Sequence, residues 1–507
     1  MSIARASGAG GTLSQAFKEV TELAEQKVQS SKSGASSLSL VSTPAKYIGF
    51  ALVLAWHYCL WFVPQVFHHI GLLEDGVTFT WLANLAATVL ALFCIAKFIG
   101  RRRHLSNYRW LYFASPLVAS VATLLLLVHP ASFSSLGVAL SLSIVLGAAG
   151  AVMWILWGEH YASVKAGFSI KHIGTVFGLT LITTILISTL LPALLASLFV
   201  MLLPLASGIL LLLAIGFKKK NKASYPCLLP KKTARAGLRS LVVVSVICFV
   251  ASAACYFLAA IIPWELLPHR EASFTYGIIG GALLMLIISA ACILVFKKMN
   301  VFKLLPWLLV VEVVAFTLFL VGEEFYYPSF LLALAVCAIF EIFLIMYFGI
   351  LTSKGYVPPA WGFCFSCGFI RAGIVVGNSL AVSYEQNPVL AQIATPETCL
   401  IFIGLLTALL IPLVKQQFSI VSLTSDPVEA NELQTICQEV TKEFSLSKRE
   451  SEILVLLASG HRAESIAKKL VISPYTVNTH IRHIYEKTQI NKRSDLLNYI
   501  NMQRSDY

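Results

Sequence analysis

From Tyr47 to Lys415 the sequence is a succession of about twelve long apolar runs, near 47–67, 77–99, 108–129, 136–157, 172–191, 196–217, 240–262, 275–296, 304–321, 328–351, 361–383 and 398–415. About 20 apolar residues suffice for a helix to cross the hydrocarbon core of a bilayer, so each run is the length of one spanning helix. The whole chain is 57% hydrophobic and 12% charged, with mean hydropathy +0.79. Soluble domains are about 45–50% apolar and about 25% charged, which disfavours a purely cytosolic enzyme. The expected fold class is all-α: a polytopic membrane helix bundle with room left for one small soluble domain.

The loops set the orientation. The first, third, fifth, seventh, ninth and eleventh connections are nearly free of Lys and Arg, as in Pro130 to Ser135, Glu323-Glu324 and Tyr384 to Glu397. The even-numbered ones are basic: Lys97 with Arg101, Arg102 and Arg103; Lys165 and Lys171; Lys218 to Arg239; Lys297, Lys298 and Lys303; and Lys354. Basic loops stay in the cytoplasm, so the alternation predicts an even span count and both termini on the cytoplasmic side of a bacterial inner membrane. Much of the formal net charge of +13 is therefore topological. The long basic loop at 218–239 divides the spans six and six, a topology that resembles the major facilitator superfamily over about 370 residues. Gly100-Arg101-Arg102-Arg103 matches part of that superfamily's loop pattern between spans two and three, without its usual Asp.

Residues 1–45 form a polar tail without the features of a signal peptide. Within it Leu13, Phe17, Val20, Ala24 and Val28 recur at helical spacing, as either a short amphipathic helix or a frayed tail. The expected division is a tail (1–45), a membrane domain (46–416), a linker with a short helix (417–443) and a soluble module (444–507). Most of the eleven cysteines are embedded in apolar runs, so neither a disulfide framework nor a zinc site is expected. Cys364-x-x-Cys367 lies in such a run and reads as part of a span.

The last 64 residues return to ordinary charge density, with ten Lys/Arg against six Asp/Glu. Ser447-Lys448-Arg449-Glu450 is a capping box, in which the serine hydroxyl accepts from the third helical N–H and the glutamate reaches back. Gly460 closes that helix, a second covers about 463–470, and Ser473-Pro474 opens a third, with Ser as N-cap and Pro at the first helical position. The third helix buries Val477, Ile481 and Ile484 and shows Asn478, Thr479 and Arg482 on its other face. Two short helices joined by a tight turn, the second polar-faced, are the helix-turn-helix arrangement.

The string Leu446-Ser447-x-Arg449-Glu450, Glu464-x-Ile466-Ala467-x-x-Leu470-x-Ile472-Ser473-x-x-Thr476-Val477-x-x-His480 and Ile484-Tyr485-x-Lys487 closely resembles the LuxR/FixJ-type DNA-binding domain over about 55 residues. The resemblance implies that Asn478, Thr479 and Arg482 face the groove of double-stranded DNA, that Lys468, Lys469, Thr476 and Lys487 are phosphate contacts, and that a fourth helix at about 492–502 forms a homodimer face. His480 reads as packing or a phosphate contact. Three positions depart from the family pattern. Asn478 replaces a commonly basic residue, which suits either adenine reading or binding with a shallower salt slope; Arg462 stands where a Ser/Thr cap is usual, and Thr488-Gln489 replaces Leu-Gly.

Ionisable groups inside spans are functional candidates by default. His57, Glu341 and Arg371, with Asn378 two turns beyond Arg371, are the candidate ligand-binding residues; Glu341 and Arg371 either pair structurally or hold a charged or zwitterionic small molecule. Glu312 reads as structural and Glu159 with His160 as interfacial. Trp56, Trp154, Trp157 and Tyr256 line a cavity or belong to an interfacial belt. No catalytic motif is found, and no enzyme activity, cofactor or metal is expected. The sequence points to a membrane-anchored one-component transcriptional regulator that senses a small molecule through its spans; the alternative is a secondary transporter with an appended DNA-binding domain.

Overall fold

The structure, a computed structural model, describes residues 47–67, 74–99, 104–127, 136–162, 166–216, 228–229, 231–262, 273–294, 300–424, 436–459, 461–490 and 492–503. The tail at 1–45, Arg101 to Arg103, Lys165, Lys218 to Lys222, Lys297, Lys298, Asp426-Pro427 and Gly460 lie outside these residues.

Each predicted apolar run holds one long helix, the first followed after Val63 by a single turn at Pro64–Phe67. They are α1 (Tyr47–Phe62), α2 (Glu74–Ile99), α3 (Leu111–Leu127), α4 (Leu136–Ala162), α5 (Ala166–Leu190), α6 (Ala193–Gly216), α7 (Lys231–Ile261), α8 (Ser273–Leu294), α9 (Leu305–Val321), α10 (Tyr326–Ser353), α11 (Pro359–Glu385) and α12 (Pro388–Thr424). Among the described residues nine helices are long and apolar enough to cross a membrane, and the apolar stretches of α1, α3 and α8 are shorter. No strand occurs among the described residues. Large apolar side chains such as Leu190, Phe98, Leu294 and Trp307 face outward, at 82, 78, 72 and 66% exposure. For a soluble protein that surface would be an aggregation hazard; for this one it is the lipid face. The chain is a multi-pass membrane protein.

The first six helices meet the last six through α2 with α11, α5 with α8, α4 with α11, and α5 with α10. The most extensive pairing is α7 with α11, where a side-chain carbon on Gly373 or Gly377 would collide with the backbone oxygen of Phe249 or Ala253 respectively. Lipid supplies no hydrophobic force between helices, so close backbone approach at small residues takes its place. Trp56, Trp154, Trp157 and Tyr256 are all within 3% of complete burial, which removes the interfacial-belt reading for them. Trp56 Nε1 donates to Thr123 Oγ1 (3.1 Å) and Trp157 Nε1 to Ser207 Oγ (2.9 Å), whose hydroxyl donates on to Gly49 O (2.6 Å), so their polar atoms tie α1, α3, α4 and α6 together.

Beyond α12 come α13 (436–443), α14 (Lys448–Ala458), α15 (Ala463–Leu470), α16 (Pro474–Thr488) and α17 (Arg493–Gln503). Their core is separate from that of the bundle: Ile436, Cys437 and Val440 of α13 join Ile453, Leu454, Leu457, Ile466, Val477, Ile484, Leu496 and Ile500. The helix preceding residue 444 therefore packs as part of the soluble module, which holds a hydrophobic core of its own.

Candidate nucleic-acid interface and buried ion pair

The caps expected at Ser447 and Ser473 are formed. Ser447 Oγ accepts from Glu450 N and Glu450 Oε2 accepts from Ser447 N, closing the capping box at the start of α14. Ser473 Oγ accepts from Thr476 N at 3.0 Å with Pro474 at the first position of α16. Arg462 precedes α15 and makes no side-chain cap bond. The turn from α15 to α16 runs through Val471 at φ 55°, ψ 47°, and α16 ends on Gln489 at φ 56°, ψ 25°. Both are left-handed positions occupied by residues other than glycine.

Asn478 and Arg482 are exposed on α16 and Thr479 is half-buried, its hydroxyl donating to Tyr475 O. Tyr475, 82% exposed, lies one turn before Asn478 and Thr479 on the same face. Sequence reading passed over it, although the helical spacing 475, 478/479, 482 contains it. Arg482 Nε is 3.4 Å from Glu486 Oε1, with both side chains mostly in solvent, so water screening leaves the pair weak and the guanidinium available. Lys468 is exposed at the end of α15.

The remaining phosphate candidates are engaged within the module. Thr476 Oγ1 is 2.8 Å from Ser473 Oγ in the cap. Lys469 Nζ lies 2.7 Å from His461 Nε2. Burial, then Lys469 and Arg493, hold the His461 imidazole below its ordinary range, and burial lowers the Lys469 ammonium. Lys487 Nζ donates to Glu450 Oε2 at 2.8 Å and to Ser445 O at 3.4 Å, joining the C-terminal part of α16 to the capping box of α14. Burial pushes the Glu450 carboxyl up, but the bonds from Lys487 and Ser447 outweigh it and hold the group at about 2. The carboxylate is thus a fixed negative charge at the join between two helices.

In the bundle, Glu341 of α10 and Arg371 of α11 form an ion pair, Nη2 to Oε1 3.0 Å, with both side chains almost wholly buried. Tyr58 OH donates to Glu341 Oε2 at 2.9 Å, Arg371 Nη1 donates to Cys367 O at 3.2 Å, and the guanidinium carbon stands 4.7 Å from the centre of the Trp154 ring. A buried ion pair needs such bonds, because desolvation otherwise exceeds the Coulomb gain. Tyr58 was not foreseen; it stands beside His57, but no spacing rule links α1 to α10. Arg371 Nε, His57 Nε2 and Asn378 Oδ1 are shielded and lack hydrogen-bond partners among the described residues. No described hydrogen bond or ion pair brings His57, Asn378 or the fully buried Glu312 to the pair. Glu159, read from sequence as interfacial, is buried and accepts from Leu105 N (2.6 Å) and Ser106 N (2.8 Å), capping the short helix at 105–107. Two adjacent unpaired N–H groups at a helix start attract a carboxylate, which accounts for its position. Cys364 and Cys367 are buried free thiols within α11.

The profile of the bacterial luxR family of regulatory proteins (GerE) matches residues 444–500. The same region is similar to the oxygen regulatory protein NreC of Staphylococcus carnosus, 44% identical over 54 residues, or 11% of this chain and 25% of that protein. It is likewise similar to the response regulator GacA of Pseudomonas aeruginosa, 44% identical over 52 residues, or 10% of this chain and 24% of that one. The chain spans about a quarter of the length of these relatives. Among solved structures, the E. coli fucose:proton symporter FucP aligns with a TM-score of 0.46 and 11% identity over 74% of this chain and 98% of that one. The human organic anion transporter MFSD10 aligns with a TM-score of 0.40 and 13% identity over 73% and 96%. The soluble module at the C-terminal end of this multi-pass membrane protein is a luxR-family DNA-binding domain.

Proposed function

We propose that the chain is a membrane-anchored one-component transcriptional regulator: the spans bind a small molecule, and the resulting state of the bundle sets how the C-terminal module engages double-stranded DNA. Both termini are cytoplasmic in a bacterial inner membrane, and the module binds as a homodimer through α17. Asn478, Thr479 and Arg482 read base edges, while Lys468, Thr476 and, once released from their internal partners, Lys469 and Lys487 contact phosphates. The buried Glu341–Arg371 pair, with His57 and Asn378 on the same helices or a neighbouring one, is the place where a charged or zwitterionic molecule would act. Such a molecule shifts the equilibrium only by binding one bundle state better than the other.

The observation that supports this reading most is the attachment of α12. Its 37 residues extend about 55 Å at 1.5 Å per residue, well beyond a hydrocarbon core of about 30 Å. Its final turns are tied to the ends of two other spans. Lys354 Nζ donates to Leu423 O (2.9 Å), and Asn300 Nδ2 donates to Thr424 Oγ1 (2.9 Å) and to Val421 O (3.4 Å). Gln417 Nε2 donates to Lys303 O (3.0 Å). A long helix fastened to both the α8–α9 and α10–α11 connections, and followed in sequence by the module, offers a physical route from span packing to DNA.

The test is selection of bound DNA fragments by the full chain in lipid nanodiscs, followed by footprinting. Wild type is expected to protect a defined site. Asn478→Ala and Arg482→Ala should each relax preference at individual base pairs by about 1–3 kcal/mol, whereas Lys468→Ala should weaken all sequences alike and flatten the salt dependence. Uniform, sequence-independent loss for all three variants would overturn the assignment of base readers. Net solute flux into vesicles that survives deletion of 416–507, without DNA selection by the intact chain, would favour a transporter instead.

A further inference from the structure

Glu450 divides its two carboxylate oxygens between different surroundings. Oε2 receives both structural bonds, from Ser447 N at 2.7 Å and from Lys487 Nζ at 2.8 Å. Oε1 faces His483 Nδ1 at 3.9 Å, and the His480 ring lies one helical turn earlier on the same side of α16, its centre 6.4 Å from that of His483. His480 Nδ1 is shielded from solvent and has no hydrogen-bond partner among the described residues. One donor atom from each of Glu450, His480 and His483 lies within 4.8 Å of the others.

We propose that these three residues form a site for a divalent transition-metal ion of the Zn2+ class. Two imidazoles at i and i+3 on one helix and a carboxylate from another are the nitrogen and oxygen donors such an ion takes, at about 2.0–2.2 Å. The donors must close by roughly an ångström to reach those bond lengths. The His483 side chain is 42% exposed, which leaves it room to turn, while Glu450 is held by Ser447 and Lys487. Lys487 does not compete for the coordinating oxygen. Its bond to Oε2 fixes the carboxylate plane, as the outer hydrogen bonds of metal-bound carboxylates do. The ion gives the unpartnered His480 Nδ1 a partner and staples the recognition helix α16 to α14. The site lies on the flank of α16 turned away from Asn478 and Arg482, with His483 one turn after Thr479. Sequence reading gave no metal site because the third ligand is some thirty residues distant from the two histidines.

The test is Zn2+ competition against a chromophoric chelator, with the full chain in detergent micelles and helical content followed by circular dichroism. Wild type should remove one equivalent of Zn2+ that His483→Ala holds at least about tenfold more weakly, the scale on which perturbing a metal site reduces affinity. His480→Gln should act in the same direction, and His461→Gln, outside the cluster, should match wild type. His483 is half-exposed, so its replacement preserves the helix content and gives the decisive result. Equal Zn2+ affinity in wild type and His483→Ala would overturn the site, as would an equal loss in His461→Gln.

Discussion

Val471 holds the turn between α15 and α16 in the left-handed region with its side chain 88% exposed. For an L-residue that conformation costs about 1–2 kcal/mol, and a β-branched side chain is the least suited to it. No packing offsets the strain. Glycine would relieve it while losing about 0.5–1 kcal/mol to unfolded-chain entropy. Val471→Gly is therefore expected to stabilise the soluble module by about 0.5–1 kcal/mol. For a domain of this size that is a rise of several degrees in thermal midpoint, readable by circular dichroism on residues 425–507, which contain the separate core. An unchanged or lower midpoint would show that the turn carries no such strain. Features of this kind differ in how far sequence reveals them. The caps at Ser447 and Ser473 were legible because their partners are three residues away. The pairing of Lys487 with Glu450 was not, because it spans 37 residues and depends on two helices crossing.

At the scale of elements, the twelve apolar helices were legible because lipid imposes both a length and a composition on every crossing helix. What escaped the sequence was the continuation of α12 to Thr424 through a stretch too polar to read as a span. Its C-terminal carbonyls, left without intrahelical donors, are partly satisfied by Lys354 and Asn300 from other helices, and the lysine charge also complements the helix dipole there. Removing these donors while keeping the Asn300 Oδ1 that accepts from Phe302 N (3.0 Å) should loosen α12 from the bundle without disturbing the helix start at 301–304 or the module. In Lys354→Met/Asn300→Asp, which keeps the cap acceptor and loses the donor, DNA affinity is expected to stay near the wild-type value while its dependence on the state of the bundle is reduced. The measurement is protection of the α12 end by hydrogen exchange, with DNA binding in the same nanodiscs. Unaltered exchange at 417–424 would exclude the contacts as a clamp.

For the molecule as a whole, the Glu341–Arg371 pair separates a binding role from a packing role. Arg371→Met alone strands a buried carboxylate and should destabilise the bundle by about 3–5 kcal/mol. The double variant Glu341→Leu/Arg371→Met removes both charges and should recover most of that loss in detergent thermal-stability assays. If the pair binds the effector, the double variant folds but gives no DNA response to its state; a normal response would leave the pair as packing alone. The all-α class, the spans, their alternation of basic loops and the DNA-binding module were determined by the sequence by itself, because each rests on local rules of hydrophobic length, capping or helical spacing. Tertiary structure decided which polar groups meet. Glu341 finds Tyr58 and Arg371, Glu450 finds Lys487 and His483, and α12 finds Asn300 and Lys354 only after helices remote in sequence pack side by side. Such pairings follow from helix positions that no single segment encodes.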